Sequence, residues 1–379
     1  MTQRGLIFIG LIGTVACLAM AQVAGRAVPS PDSLYELGKY TILETPPSTD
    51  GPYKVLQTTK VGGEGGFDYV YADAAGRRLY IPRLGQPGSR VTVFNLDTLA
   101  PAGEIPVVNG HGAAVDTKSG HGFASSKPVV MWDTTTMTAI KNIEVQGGPD
   151  GILGDPSNQK IYIFSHGAPN VTVIDATDGS ITTTIDLGGA PEQGVVDDKG
   201  HLYVDLEDKD KVAVVDTKTW KVTGTYDLAG KGGTPAGLAM DGKNRVLFVA
   251  CRTPATMVML NADTGAILAT LPLGTGTDGA TFNPATKEAF SSQRDGTLTV
   301  IKENSPTSFE VEQTVQTPQG AKTLTLDTKT NHVLLITAEF AAPPAPPADA
   351  PAAPTGGRGG RGPRPQMVPD SFSIVVVGK

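Results

Sequence analysis

One short pattern recurs seven times along this chain and restricts its fold more than any other feature. An apolar run ends in Asp or Asn, and a tight polar turn follows at once. The pattern falls at Asp73 (ADAAGRR), Asp116 (VDTKSG), Asp155 (DPSNQK), Asp198 (DDKG), Asp241 (MDGKN), Asn283 (FNPATK) and Asp327 (LDTKTN), at spacings of 43, 39, 43, 43, 42 and 44 residues. A self-similar period near 40 residues marks a stacked repeat, because one unit of that size cannot bury its own apolar faces.

The unit from Gly147 to Gly188 shows what is repeated. Four short apolar or alternating runs are separated by DPSNQK, HGAPN and ATDG. β-Branched and aromatic residues fill the runs and turn formers fill the gaps, as in consecutive antiparallel strands. Second strands recur as LYIPR, GFASS, IYIFS, LYVDL, LFVAC, AFSSQ and VLLIT. Third strands recur as VTVFN, VVMWD, VTVID, VAVVD, MVMLN, LTVIK and IVVVG. Four strands per period and seven periods predict an all-β, seven-bladed β-propeller over residues 53–379. The seventh unit lacks an outer strand, because the chain stops at Lys379. The spare run YKVLQTTKV (Tyr53–Val61) is expected to supply it and close the ring, which removes the exposed edges of a linear array.

Composition agrees and also excludes. Forty-six Gly and 29 Pro suit a fold with many turns. A net charge of −7 provides no global basic field, so no nucleic-acid partner is expected. Cys17 and Cys251 give no disulfide framework, and no C-x-x-C-H haem attachment is present. Residues 1–21 read as an export signal: Arg4, an apolar run Leu6–Met20, and a cleavage site Ala19-Met20-Ala21. A lipid-modified Cys17 and an uncleaved anchor are the lesser alternatives. The expected location is periplasmic or secreted, with no transmembrane helix in the mature chain. Residues 22–52 read as an irregular, Pro-bearing lead. Residues 341–367 form a Pro/Ala run that becomes Gly/Arg-rich, an insert that cannot fold by itself.

The blade VTVIDATDGSITTTIDLGGAPEQGVVDDKGHLYV (Val171–Val204) resembles the YVTN-repeat, YncE-like propellers of bacterial envelopes, and VAVVDTKTWKVTGTYDL and MVMLNADTGAILATLPLG match the same pattern. The resemblance spans about residues 60–340 plus the last strand. It implies the propeller fold strongly and an activity only weakly, since such propellers serve as binding modules, accessory subunits and enzymes.

In a propeller, the loops entering each first strand share one face with the loops joining second to third strands, and ligands sit there over the channel. The first set (GEGGFD, NGHGA, GGPDG, GAPEQG, GGTPAG, GTGTDG, TPQGAK) collects Glu64, Asp68, His111, Asp150, Glu192, Gln193, Asp278 and Lys322. The second adds Arg83, His166, Glu207, Arg252 and Arg294. His111, Asp150, Glu192 and Asp278 are the candidates for a divalent cation site, a hard cation held through oxygen ligands; no other cofactor is indicated. His121, His201 and His332 belong to the opposite face and are expected to be solvated. Trp132 and Trp220 are expected to pack, and Cys251 to be a buried, inert thiol. No G-x-S-x-G, H-E-x-x-H or phosphate loop occurs.

The expected function is therefore a binding or scaffolding module for a protein, glycan or small ligand in the envelope. Two alternatives stand beside it. One is a metal-assisted hydrolase or lyase, similar to the lactonase and streptogramin-lyase propellers. The other is a cofactor-free accessory subunit of a redox enzyme.

Overall fold

A computed structural model describes residues 50–85, 88–341 and 366–379. The expected export signal 1–21, nearly all of the lead 22–52 and the interior of the insert lie outside the described residues. Within them the chain forms seven antiparallel sheets, six of them from consecutive strands running from the inside of the ring outwards and the seventh taking its outer strand from near the N-terminal end of the described residues. No helix among the described residues is long and apolar enough to cross a membrane.

Blade one spans 66–106, blade two 113–143, blade three 149–185, blade four 191–227, blade five 235–272 and blade six 277–316. Blade seven joins Leu324–Asp327, His332–Thr337 and Ser373–Gly378 to the N-terminal strand Lys54–Lys60. That last pairing is antiparallel, with Lys54 opposite Gly378 and Lys60 opposite Ser373. The ring thus closes as the missing outer strand requires. Tyr53, just ahead of the closing strand, is buried and reaches blade six: its N–H donates to Gln313 Oε1 (2.9 Å), Gln313 Nε2 donates to its carbonyl (2.8 Å), and its phenol donates to Glu288.

The alternating pattern of the strands decides where the core lies. Each sheet presents an apolar face to both neighbours, and the buried side chains separate into seven clusters, one at each blade junction. Trp132 is fully buried between blades one and two, beside Tyr80. Its indole lies over Gly122, where a Cβ would come within 2.2 Å of the ring, so the small residue in GFASS is what admits the tryptophan. Trp220 packs beside Tyr162 at the junction of blades three and four. Both tryptophans serve packing, as expected.

The recurrent Asp or Asn closes the turn between first and second strands. Its carboxylate or amide oxygen accepts backbone N–H groups two or three residues on, as Asp73 does from Gly76 (2.8 Å) and Asp241 from Lys243 (2.8 Å). In blade four the residue in this role is Asp197, not Asp198. Asp197 is buried and accepts from the N–H groups of Lys199 and His201. The histidines of this face are also less solvated than expected. His201 Nδ1 lies 3.1 Å from Asp197 Oδ2, and His121 Nδ1 lies 2.8 Å from the Ala176 carbonyl of the next blade.

The insert leaves from a pinned pair of ends. Ala341 N–H donates to the Gln366 carbonyl (2.8 Å), and Phe340 bridges Met367. Ala341, Gln366 and Met367 therefore belong to the paired stem, and the insert proper is 342–365.

Candidate functional site

The first strands are irregular at one end, and there the charged side chains gather. Register shifts interrupt Pro149–Asp155 around Asp150, Pro191–Val196 around Glu192 and Gln193, and Thr277–Asn283 around Asp278. Blade one shows the same disruption as a gap between Gly66–Phe67 and Tyr71–Asp73, where Asp68 and Tyr69 stand. A bulge releases residues from the ladder and re-aims their side chains. His111 and Lys322 stand just ahead of the first strands of blades two and seven, while His166 and Arg252 come from the second strands' ends in blades three and five.

Together these residues make a closed ring of ion pairs around the channel mouth, with every blade contributing. Lys322 Nζ lies 3.4 Å from Asp68 Oδ1, and Asp68 Oδ2 lies 2.9 Å from His111 Nδ1. The same nitrogen is 3.1 Å from Asp150 Oδ1, and Asp150 Oδ2 is 3.4 Å from His166 Nε2. His166 Nε2 is 3.9 Å from Glu192 Oε1, which lies 3.6 Å from Arg252 Nη2. Arg252 pairs with Asp278, and Asp278 with Lys322, which completes the circle. Glu207 joins from outside the circle, 2.5 Å from Arg252 Nη1.

Two side chains cross the channel itself. Tyr69 of blade one donates its phenol to the carbonyl and to Oε2 of Glu192 in blade four (3.2 and 3.1 Å). Gln193 donates to the Ala280 carbonyl (3.1 Å) and accepts from the N–H groups of Leu238 and Ala280 (3.0 and 3.1 Å). Gln193 is thus a rivet for the free edges of blades five and six. Those first strands approach closely at Gly237, where a Cβ would lie 2.6 Å from the Gly279 carbonyl carbon. The channel cavity, about 430 Å³, is otherwise lined by small and apolar residues such as Ala114, Val195, Leu238 and Phe282.

Burial and charge set the protonation of the ring. Hydrogen bonds to Asp150 and Asp68 raise His111 to about 10, which keeps its imidazole charged. Burial, then the charge of Asp150, raises Glu192 to about 8. Asp68 is held low: burial works against ionisation, but the His111 hydrogen bond and the Lys322 charge outweigh it. Behind the ring, fully buried Asp205 accepts from Gln193 N–H (2.6 Å), and burial raises it to about 7. Its second oxygen has no partner among the described residues.

Of the residues expected at this face, the structure brings together Asp68, His111, Asp150, His166, Glu192, Glu207, Arg252, Asp278 and Lys322, with Gln193 beneath them. Three fall outside. Glu64 and Arg294 are exposed and take no part in the ring. Arg83 turns inward, buried, to donate to the carbonyls of Gly63 (3.0 Å) and Gly65 (2.9 Å), with its guanidinium over Phe372. Loop membership had suggested a surface cation; the stacking on Phe372 explains the different outcome. Among the four cation candidates, Asp278 is taken up by Arg252 and Lys322. Asp68 and His166 join His111, Asp150 and Glu192 in two groups whose ligand atoms converge. Sequence reasoning missed Tyr69 and Asp205, which read as ordinary strand residues in FDYVYAD and LYVDL. Cys251 is buried as expected, and burial pushes its thiol up to about 12.

The fold places the chain in a large structural class. A chain in the crystal structure of a mitotic checkpoint complex is similar over 85% of this chain and 95% of that one, with a TM-score of 0.65 and 11% identity. That likeness concerns the seven-bladed propeller fold alone. No family model matches the sequence, and no curated protein matches it.

Proposed function

We propose that this protein is a binding module of the bacterial envelope, exported by its N-terminal segment and related to the YVTN-repeat propellers. Its recognition site is the channel mouth. The observation that carries the reading is the ion-pair ring. Bulges in several first strands break regular pairing to set polar side chains around one recess, whereas the opposite face spends its aspartates on closing turns. Half-buried charges paired with one another are an adaptable lining, because a polar ligand can replace one partner of a pair without leaving the other bare. The recess suits a small polar ligand or a single charged group of a larger partner.

The histidine–carboxylate groups in the ring favour metal-assisted hydrolysis or lyase chemistry as a second reading. A thermal-shift screen of sugars, organic acids, phosphorylated compounds and amines tests the first. Stabilising compounds should lose their effect on the Asp150→Asn/Glu192→Gln double variant. Undiminished stabilisation of that variant would assign binding elsewhere.

A further inference from the structure

Asp150 directs its two carboxylate oxygens at two different histidines, Oδ1 at His111 Nδ1 (3.1 Å) and Oδ2 at His166 Nε2 (3.4 Å). His111 Nδ1 also faces Asp68 Oδ2 at 2.9 Å. A ring nitrogen carries at most one proton, so it cannot donate fully to both carboxylates. Three ligand atoms from three blades therefore converge on one point.

We propose that Asp68, His111 and Asp150 form a binding site for one divalent transition-metal cation. The proposal rests on the mouth being the ligand face, but its test uses the metal alone, so its failure leaves that reading to the ligand screen. Distances support it first. An ion about 2.1 Å from each of its ligands holds neighbouring ligand atoms roughly 3 Å apart, which is the spacing of His111 Nδ1 from both carboxylates.

The surroundings support it independently, because each ligand is aimed by a neighbour. Lys322 engages Asp68 through Oδ1 and leaves Oδ2 for the site. His166 engages Asp150 through Oδ2 and leaves Oδ1. The His111 backbone is tied on both sides: its N–H donates to the Ser125 carbonyl, and its carbonyl accepts from Tyr69 N–H, each at 3.1 Å. Ser125 Oγ also donates to the Asp150 carbonyl. Such outer partners orient ligands and govern metal affinity.

The donor set fixes the class of ion. One imidazole with two carboxylates suits manganese, iron, cobalt or zinc, whereas calcium and magnesium prefer all-oxygen sites with more ligands. The His111, Asp68 and Asp150 side chains are 33%, 22% and 19% exposed, so an ion can enter and further positions stay open to a ligand. The second group, Asp150, His166 and Glu192, is wider, at 3.4 and 3.9 Å, and Tyr69 and Arg252 already engage Glu192. His166 and Glu192 therefore stand beside the site, and Asp150 alone of this group is a ligand.

Protein stripped by a chelator and titrated with Co²⁺ gives the test, read through visible ligand-field absorption and by calorimetry. Wild type should saturate at one equivalent, and Zn²⁺ should displace the colour. Asp68→Asn and Asp150→Asn keep side-chain shape and should each weaken binding at least about tenfold, with melting curves confirming the fold. Arg294→Gln, at an exposed position outside the ring, should bind as wild type does. Absence of saturable binding by wild type would mean an ion-pair triad only and would overturn the proposal. So would affinity unchanged in both Asn variants, or Ca²⁺ binding tighter than Co²⁺.

Discussion

Tyr69 of blade one donates its phenol to Glu192 of blade four, 3.1 Å away across the channel. Blades on opposite sides of the ring are thus tied at the one place where the first strands are irregular. Tyr69→Phe removes the donor and takes one hydrogen-bond partner from each of two part-buried acceptors of Glu192. The expected loss is about 1–3 kcal/mol, measured as a shift in the denaturant midpoint. An unchanged midpoint would mean that the contact contributes nothing net.

The protonation of the mouth makes stability fall on the alkaline side. Glu192, raised to about 8 from an ordinary value of 4.5, binds its proton more tightly when folded, so stability declines as pH rises between those values. His111, raised to about 10 from 6.5, contributes stability fully present below 6.5 and lost as pH rises through 10. Denaturant midpoints from pH 5 to 9, in chelator, should fall. Glu192→Gln should flatten the lower part of that slope and leave the upper part. A slope unaffected by this substitution would show that Glu192 titrates normally.

Ring closure can be tested at Tyr53. Its aromatic ring meets Phe290 edge-on, and its backbone is bracketed by Gln313. Tyr53→Ala should cost about 3–5 kcal/mol. A chain started at Gly62, without the closing strand, should lose cooperative melting. A truncated protein melting within a degree or two of the full one would refute closure by this strand.

The insert is held at a stem, Ala341 to Gln366, whose backbone groups already pair. Replacing 342–365 by a two-residue Asn-Gly turn, the usual hairpin connection, should leave the melting temperature nearly unchanged. A large drop would give the segment a part in the fold.

Cys251 should ignore a thiol reagent in the native state, because it is buried and its thiolate is disfavoured. Reaction should follow unfolding only. Stoichiometric labelling of native protein would contradict this.

The repeat was legible because strand alternation and turn chemistry are local properties. The same locality explains the misses. DDKG contains two aspartates, and only packing against Arg245 and His201 selects Asp197 for the buried role. Arg83 and Arg252 both stand near second-strand ends, but Arg83 matches Cys251 in register and Arg252 lies one residue further on, so strand alternation stacks one on Phe372 and turns the other into the ring. The bulges that aim Asp150, Glu192 and Asp278 were equally silent, because an extra residue in one strand shows only against its partner. Loop lengths and glycines did mark the end of the ring where these charged side chains meet.

The most direct test of that face is hydrogen–deuterium exchange with and without a compound that stabilises the protein in the ligand screen. Protection should fall on the mouth segments 147–151, 189–194, 275–279 and 318–323, with the turns at 74–77, 156–159 and 242–245 unchanged. Protection confined to those turns would place the binding surface on the other side of the ring and contradict the account.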